Sequence, residues 1–337
     1  MSRPVPLSAG SLAPACSVPC DLCGAVDVAE LGQQDREGQP LRTVICRRCG
    51  LVYSDPRPDA AQVREYYARN YRTDYKATHQ PKAKHTYRAG RVALERCQRL
   101  APVLTPGCRV LDFGAGGGEV VYVLRALGYA AAGFEPNEGY ARFAADVLRV
   151  PVTNGFYQTV PIAPASQDVV TAFHVVEHLE SPSDALQRIA GWLRPCGWLV
   201  VEVPNVEAVC QWPRSRFHRA HLYNFNLATL ERTGQKAGLQ MVRRSTSADG
   251  GNITGVFQKA AAGPGLAPCE IPGNCEAIQA IVSGHTGLRH LASPYPYRRP
   301  LQKLVARLAE RRGTRHDPAP QQILDALIAA RRRSLRG

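Results

Sequence analysis

Between residues 108 and 260, short apolar runs alternate with stretches of helical spacing. The run 109–113 ends in an acid-containing Asp112-Phe113, passes through Gly114, Gly116 and Gly118, and leads into an apolar helix expected over 120–127. A second strand is expected at 131–136, ending in Glu135. A third lies near 150–153 and a fourth over 168–174, ending in His174. A helix over 184–193 and a turn at 194–197 bring the chain to a fifth strand at 198–203, and a helix follows at 229–237. Strands at 239–246 and 252–258, joined by 248–251, form a hairpin. Strand and helix in alternation predict an α/β fold: a doubly wound, mostly parallel, seven-stranded Rossmann-like sheet that binds ligands beyond the carboxyl ends of its strands.

The flanks follow other patterns. After a Pro-rich leader (1–19), Cys20-Asp-Leu-Cys23-Gly24 and Cys46-Arg-Arg-Cys49-Gly50 are separated by 22 residues. Two such knuckles aim four thiolates at one ion, so Cys20, Cys23, Cys46 and Cys49 are expected to hold a structural zinc in a ribbon over 20–60, with a strand at 41–45. Residues 62–79 interleave Tyr66, Tyr67, Tyr71 and Tyr75 with Arg64, Arg69, Arg72 and Lys76. Such a stretch is either a helix that packs its tyrosines and solvates its cations, or a surface for stacking bases beside phosphates. A helix from Lys82 to Leu100 follows, and 61–107 is read as a helical linker and cofactor lid. Beyond 260, a Gly- and Pro-rich linker (261–275) precedes two helical stretches, 301–312 and 321–333, that mix apolar and basic residues on either side of Pro318 and Pro320. They are expected to dock with a solvated basic face. The alternatives are contact with an anionic membrane or with nucleic acid.

Charge sharpens this division. The 337 residues carry 42 Lys plus Arg against 28 Asp plus Glu, a net +14. Residues 1–100 contribute +6, residues 101–260 only +1 and residues 261–337 a further +7, so the catalytic candidate is nearly neutral and its flanks are basic. An apolar fraction of 45% excludes a disordered chain. No run reaches the roughly 18 apolar residues of a membrane helix, and 1–19 lacks the apolar core of a signal peptide, so a cytoplasmic location is expected. Eleven cysteines then point to metal ligands and buried thiols rather than disulfides.

Taken together and in order, Val110-Leu-Asp-Phe-Gly-Ala-Gly-Gly-Gly118, Glu135-Pro136, Val175-Val-Glu-His-Leu-Glu-Ser-Pro182 and Leu193-Arg-Pro-Cys-Gly-Trp-Leu199 resemble the motifs of class I S-adenosylmethionine-dependent methyltransferases. Where a dinucleotide-binding loop has its third glycine this chain has Glu119, whose carboxylate would repel a pyrophosphate. The resemblance implies cofactor contacts from Asp112, Gly114, Ala115, Gly116, Gly118, Glu135, Pro136, Phe156 and His174, with Glu135 on the ribose hydroxyls. Glu177 and His178 are read as caps of the next helix.

The segment Phe217-His218-Arg-Ala-His221-Leu-Tyr223-Asn-Phe225 is similar to the His-x-x-His-Leu-Tyr-x-Phe segment of methyltransferases with an N-terminal zinc domain, among them the deoxysugar methyltransferases. By that resemblance His221, His218 and Tyr223 are the candidate catalytic residues, with His221 as general base. The implied activity is methyl transfer from S-adenosylmethionine to a small-molecule acceptor, such as a sugar or other biosynthetic metabolite. The alternatives are an RNA methyltransferase gripping phosphates through its basic flanks and a non-catalytic S-adenosylmethionine-binding protein.

Overall fold

The computed structural model describes residues 16–65, 81–260 and 269–334. Most of the leader, nearly all of the Tyr- and Arg-rich stretch and half of the 261–275 linker lie outside the described residues.

Strands β1 (Val28–Gln34), β2 (Pro40–Cys46) and β3 (Val52–Ser54) form an antiparallel meander around the two cysteine knuckles. Helices α1 (Ala60–Glu65) and α2 (Ala83–Leu100) lead to the main sheet. Its units are β4 (Arg109–Phe113), α3 (Glu119–Ala126), β5 (Ala130–Glu135), α4 (Glu138–Arg142), β6 (Val152–Asn154), β7 (Gln167–Phe173), α5 (Pro182–Trp192) and β8 (Leu193–Pro204). After β9 (Tyr223–Asn224) and α6 (Leu227–Lys236), the hairpin β10 (Leu239–Thr246) and β11 (Asn252–Lys259) closes the sheet. The strand order is β10-β11-β8-β7-β4-β5-β6. β6 through β8 run parallel and the hairpin antiparallel, as the alternation of elements requires. Among the described residues beyond the sheet, four helices follow: α7 (Asn274–Gly284), α8 (Gly287–Leu291), α9 (Tyr295–Gly313) and α10 (Pro320–Ser334).

Alternate residues of a strand face opposite sides, and the two sides of β4 pack separate cores. Leu111 and Phe113 meet Leu186 and Ile189 of α5 and Leu230 of α6. Val110 meets Ala93 and Cys97 of α2, Val121 and Leu124 of α3, and Leu324 and Ile328 of α10. Helix α10 thus docks as expected, through an apolar face against the sheet's helical layer. The turn expected at 194–197 is an excursion within β8, with Cys196 at φ 59° where a glycine would be unstrained.

The ribbon is not a separate bead. Cys20, Leu22, Cys46, Cys49 and Tyr53 belong to the same core as Phe113 and Phe134, and β9, from the far side of the chain, pairs with β3 as the fourth strand of the ribbon's sheet. Among the described residues no helix is long and apolar enough to cross a membrane.

Candidate functional site

At the carboxyl ends of β4, β5, β7 and β8 lies a cavity of about 1120 Å³. Its first wall is the turn between β4 and α3, where Gly114, Gly116 and Gly118 take φ of 73°, 57° and 82°. These left-handed values are cheap only for glycine. A Cβ on Gly114 would stand 2.6 Å from Val175, so the close approach also needs the missing side chain. The Gly116 amide donates to Glu135 Oε2 (2.9 Å) and the Asn137 amide to Oε1 (3.1 Å), so the buried Glu135 carboxylate holds the loop and the following turn together. Asp112 Oδ1 accepts from the Thr171 hydroxyl at 2.7 Å. Burial pushes the Asp112 carboxyl up to about 6; the Thr171 bond opposes the shift, and neighbouring Glu135 and Glu119 add to it. Asp112, Gly114, Ala115, Gly116, Glu135, Pro136, Phe156 and His174 all line the cavity.

Gly118 stands apart from that set. It lies outside the cavity lining and is the N-cap of α3, where a Cβ would meet Ala144 and Val150 at 2.8 Å. Its absent side chain serves helix packing. Glu119 does line the cavity, its carboxylate folded back over Gly117.

The opposite wall carries His178, His218 and His221. His221 sits in a turn closed by its amide on the His218 carbonyl (2.9 Å), and its ring lies 4.9 Å from that of His178 and 5.0 Å from that of His218. Burial and the neighbouring His178 push His221 well below the usual imidazole range, and burial with Arg36 pushes His218 down to about 4. Both rings are neutral at neutral pH. His178 Nδ1 is 2.7 Å from the Ala220 carbonyl, which can only accept, so Nδ1 bears the proton and Nε2 faces Glu177.

Beneath these rings is a charge network that the sequence did not reveal. Glu177 is 1% exposed, and neither carboxylate oxygen makes a hydrogen bond. His174 Nδ1 lies 3.4 Å from it and His174 Nε2 lies 3.3 Å from Glu202, which also pairs with Arg96 (2.9 Å) and Arg99 (2.6 Å). Burial would drive the charge off His174, but Glu177 and Glu202 outweigh it and raise His174 to about 9. Burial would likewise raise both carboxyls, yet His178 and His174 hold Glu177, and His174 with Arg96 hold Glu202, each down to about 2. His174 adopts φ 57°, a strained backbone for a side chain placed between two acids at the cavity floor. Glu177 and His178 therefore do not cap the next helix: Ser181 does, accepting from the Asp184 amide at 3.2 Å. Ligand atoms of Glu177, His178 and His221 come within 4.8 Å of one another, with His174 on the other side of Glu177.

Tyr223 also stands apart. Its backbone is in β9 and its side chain is buried outside the cavity lining, under the Arg57 guanidinium, with its hydroxyl donating to the Glu180 carbonyl at 3.3 Å. It braces the wall.

The ribbon grips this same wall. Asp21 accepts from the Ser181 hydroxyl (2.7 Å) and the Ser183 amide (2.8 Å), and the Ser54 amide donates to the Leu222 carbonyl (3.0 Å). Cys20 and Cys49 sulfurs are 3.5 Å apart, Cys23 and Cys46 3.4 Å, and all four fall within 4.8 Å of one another. A tetrahedral ion with bonds of about 2.3 Å requires sulfurs under 4 Å apart, so the four thiols fit one zinc with little movement.

Residues 84–244 match the family model described as a methyltransferase domain. A ubiquinone biosynthesis O-methyltransferase of Albidiferax ferrireducens is 30% identical over 119 residues, 33% of this chain and 46% of that protein. The enzyme of the same name from Bradyrhizobium diazoefficiens is 33% identical over 103 residues, 29% of this chain and 41% of that protein. The chain spans about half the length of the curated relatives it matches, or less. Among solved structures, an S-adenosylmethionine-dependent methyltransferase from Archaeoglobus fulgidus superposes with a TM-score of 0.43 at 17% identity, over 50% of this chain and 94% of that chain. The region 84–244, on which the glycine turn and the histidine wall are built, is thus similar to a methyltransferase domain.

Proposed function

We propose that this protein transfers a methyl group from S-adenosylmethionine to a small-molecule acceptor, with the two walls of the cavity dividing the work. The observation that carries the reading is their juxtaposition: a glycine turn ringed by carboxylates faces neutral imidazoles across one cavity. Asp112, Glu119 and Glu135 surround the turn. Three acids there disfavour a phosphate ligand and favour one bearing positive charge, which would relieve the crowding that helps to raise Asp112. In this reading Glu135 accepts from the ribose hydroxyls, Asp112 attracts the methionine ammonium, and Pro136 and Phe156 flank the adenosine. Helix α2, which contributes His85, Ala89 and Val92 to the lining, supports the role of 61–107 as a lid.

S-adenosylmethionine supplies an electrophilic sulfonium methyl and leaves as S-adenosylhomocysteine. His221 takes the acceptor's proton on a ring nitrogen, which is available because burial keeps the imidazole neutral. The buried Glu177 anion stabilises the positive charge that then develops on the histidine pair. His218 orients the acceptor. A hydroxylated acceptor, a sugar or another biosynthetic metabolite, suits a base of this kind. We further infer a structural zinc on Cys20, Cys23, Cys46 and Cys49, which leave no open position for chemistry. Calorimetry with S-adenosylmethionine, followed by turnover of candidate acceptors by the wild type and His221→Ala, tests the proposal. Absence of cofactor binding would refute it.

A further inference from the structure

Helix α9 is held to the domain near its two ends: Glu310 pairs with Arg88 of α2, Arg299 reaches Asp249 in the β10–β11 hairpin at 4.0 Å, and Gly313 lies against the Tyr87 ring. Between them, Pro300 through Leu308 are all exposed. Arg88 and the hairpin residues Gly251 and Asn252 line the cavity, so the helix is tied to two of its walls. The apolar side chains face outward. Tyr297, Leu301, Leu304, Val305 and Leu308 are 67%, 64%, 53%, 59% and 47% exposed, and their spacing of i, i+4, i+7, i+8 and i+11 makes one stripe along the helix. A surface helix ordinarily turns such a stripe to the core, and a contiguous exposed apolar patch marks an interaction surface.

The charge around the stripe identifies what it fits. Arg298, Lys303, Arg307, Arg311 and Arg312 are exposed along the same helix, and its single carboxylate, Glu310, is buried in the pair with Arg88. An apolar stripe bordered only by cations is complementary to an anionic lipid surface, where leucines enter the acyl boundary and Lys and Arg meet the headgroups. We propose that α9 is an interfacial anchor that seats the protein on anionic membranes with the cavity rim beside the bilayer. The inference does not depend on the methyltransferase activity.

Co-sedimentation of the full chain with vesicles of phosphatidylglycerol and phosphatidylcholine, against vesicles of phosphatidylcholine alone, tests it. The expected result is retention on the anionic vesicles only, weakened when salt is raised from about 0.1 M to about 1 M and the screening length falls from about 10 Å to about 3 Å. Leu301→Asp and Leu304→Asp should each reduce partitioning about tenfold or more. Because both positions are exposed, far-UV dichroism and cofactor affinity should stay at wild-type values, which separates loss of the anchor from misfolding. Equal retention on both vesicle types, or unchanged retention of the leucine variants, would overturn the proposal. So would a dimer in sedimentation velocity that Leu304→Asp dissociates, since the stripe would then belong to a second copy.

Discussion

The two walls of the cavity are built in opposite ways. The glycine wall is local: Asp112, Gly114, Gly116 and Glu135 come from one strand-turn-helix-strand unit, and the Gly116–Glu135 bond closes it across 19 residues. The histidine wall is assembled from distant pieces. His178 follows β7, His221 precedes β9, and both are held by a ribbon that begins some 160 residues earlier in the chain, as the Asp21–Ser181 bond shows. In the proposed reading, cofactor recognition can therefore survive changes that abolish acceptor chemistry. That separation is what the following predictions are meant to break or sharpen.

Removal of zinc should have the largest effect. Structural zinc contributes an apparent 10–16 kcal/mol, roughly, in small cysteine-ligated modules. Chelation or Cys46→Ser should lower the melting temperature and abolish methyl transfer, with metal analysis falling from about one zinc per chain to none. If cofactor binding disappears in parallel, the walls are not separable. Next, His221→Ala should lower kcat about 10²- to 10⁴-fold with cofactor affinity unchanged, the range expected for loss of a general base. Glu135→Ala should do the reverse. Losing charge-assisted bonds worth about 1.5–3 kcal/mol weakens S-adenosylmethionine binding about 10- to 100-fold, measured by calorimetry.

The smallest effects are in pH. His174 is raised to about 9, so its share of stability is complete below its ordinary value of 6.5 and is lost as pH rises through about 9. Glu177 and Glu202 are depressed to about 2, so theirs is complete above 4.5 and is lost as pH falls toward about 2. Melting temperature should therefore decline between about pH 6.5 and 9, and that decline should flatten in Glu177→Gln, where His174 loses a partner. On the other wall, Asp112 is raised to about 6, so cofactor affinity should fall as the buffer passes below that pH.

The difference between the walls also explains how much of the site could be read from sequence. Strand-end acids and alternating glycines leave a linear trace, and all but Gly118 of the expected cofactor set line the cavity. Gly118 carries the same residue type for another reason, the contact of α3 with Ala144 and Val150, which sequence spacing cannot distinguish. His218 and His221, expected from the resemblance, line the cavity, whereas the direction of Tyr223 depended on β9 joining a sheet whose other strands end at Ser54. Arg96 and Glu202 meet across 106 residues, with no periodicity to announce the pair. The sheet itself was legible throughout, because alternation of strand and helix is a local pattern. The outward stripe of α9 was visible only as mixed apolar and basic spacing until its end was seen to hold Glu310 against Arg88.

The most direct test of two separable walls is a paired calorimetric titration of S-adenosylmethionine into His221→Ala and Glu135→Ala alongside the wild type. The account predicts one site in the wild type, affinity within about twofold of it in His221→Ala, and a loss of about tenfold or more in Glu135→Ala. No binding to the wild type, or equal losses in the two variants, would contradict it.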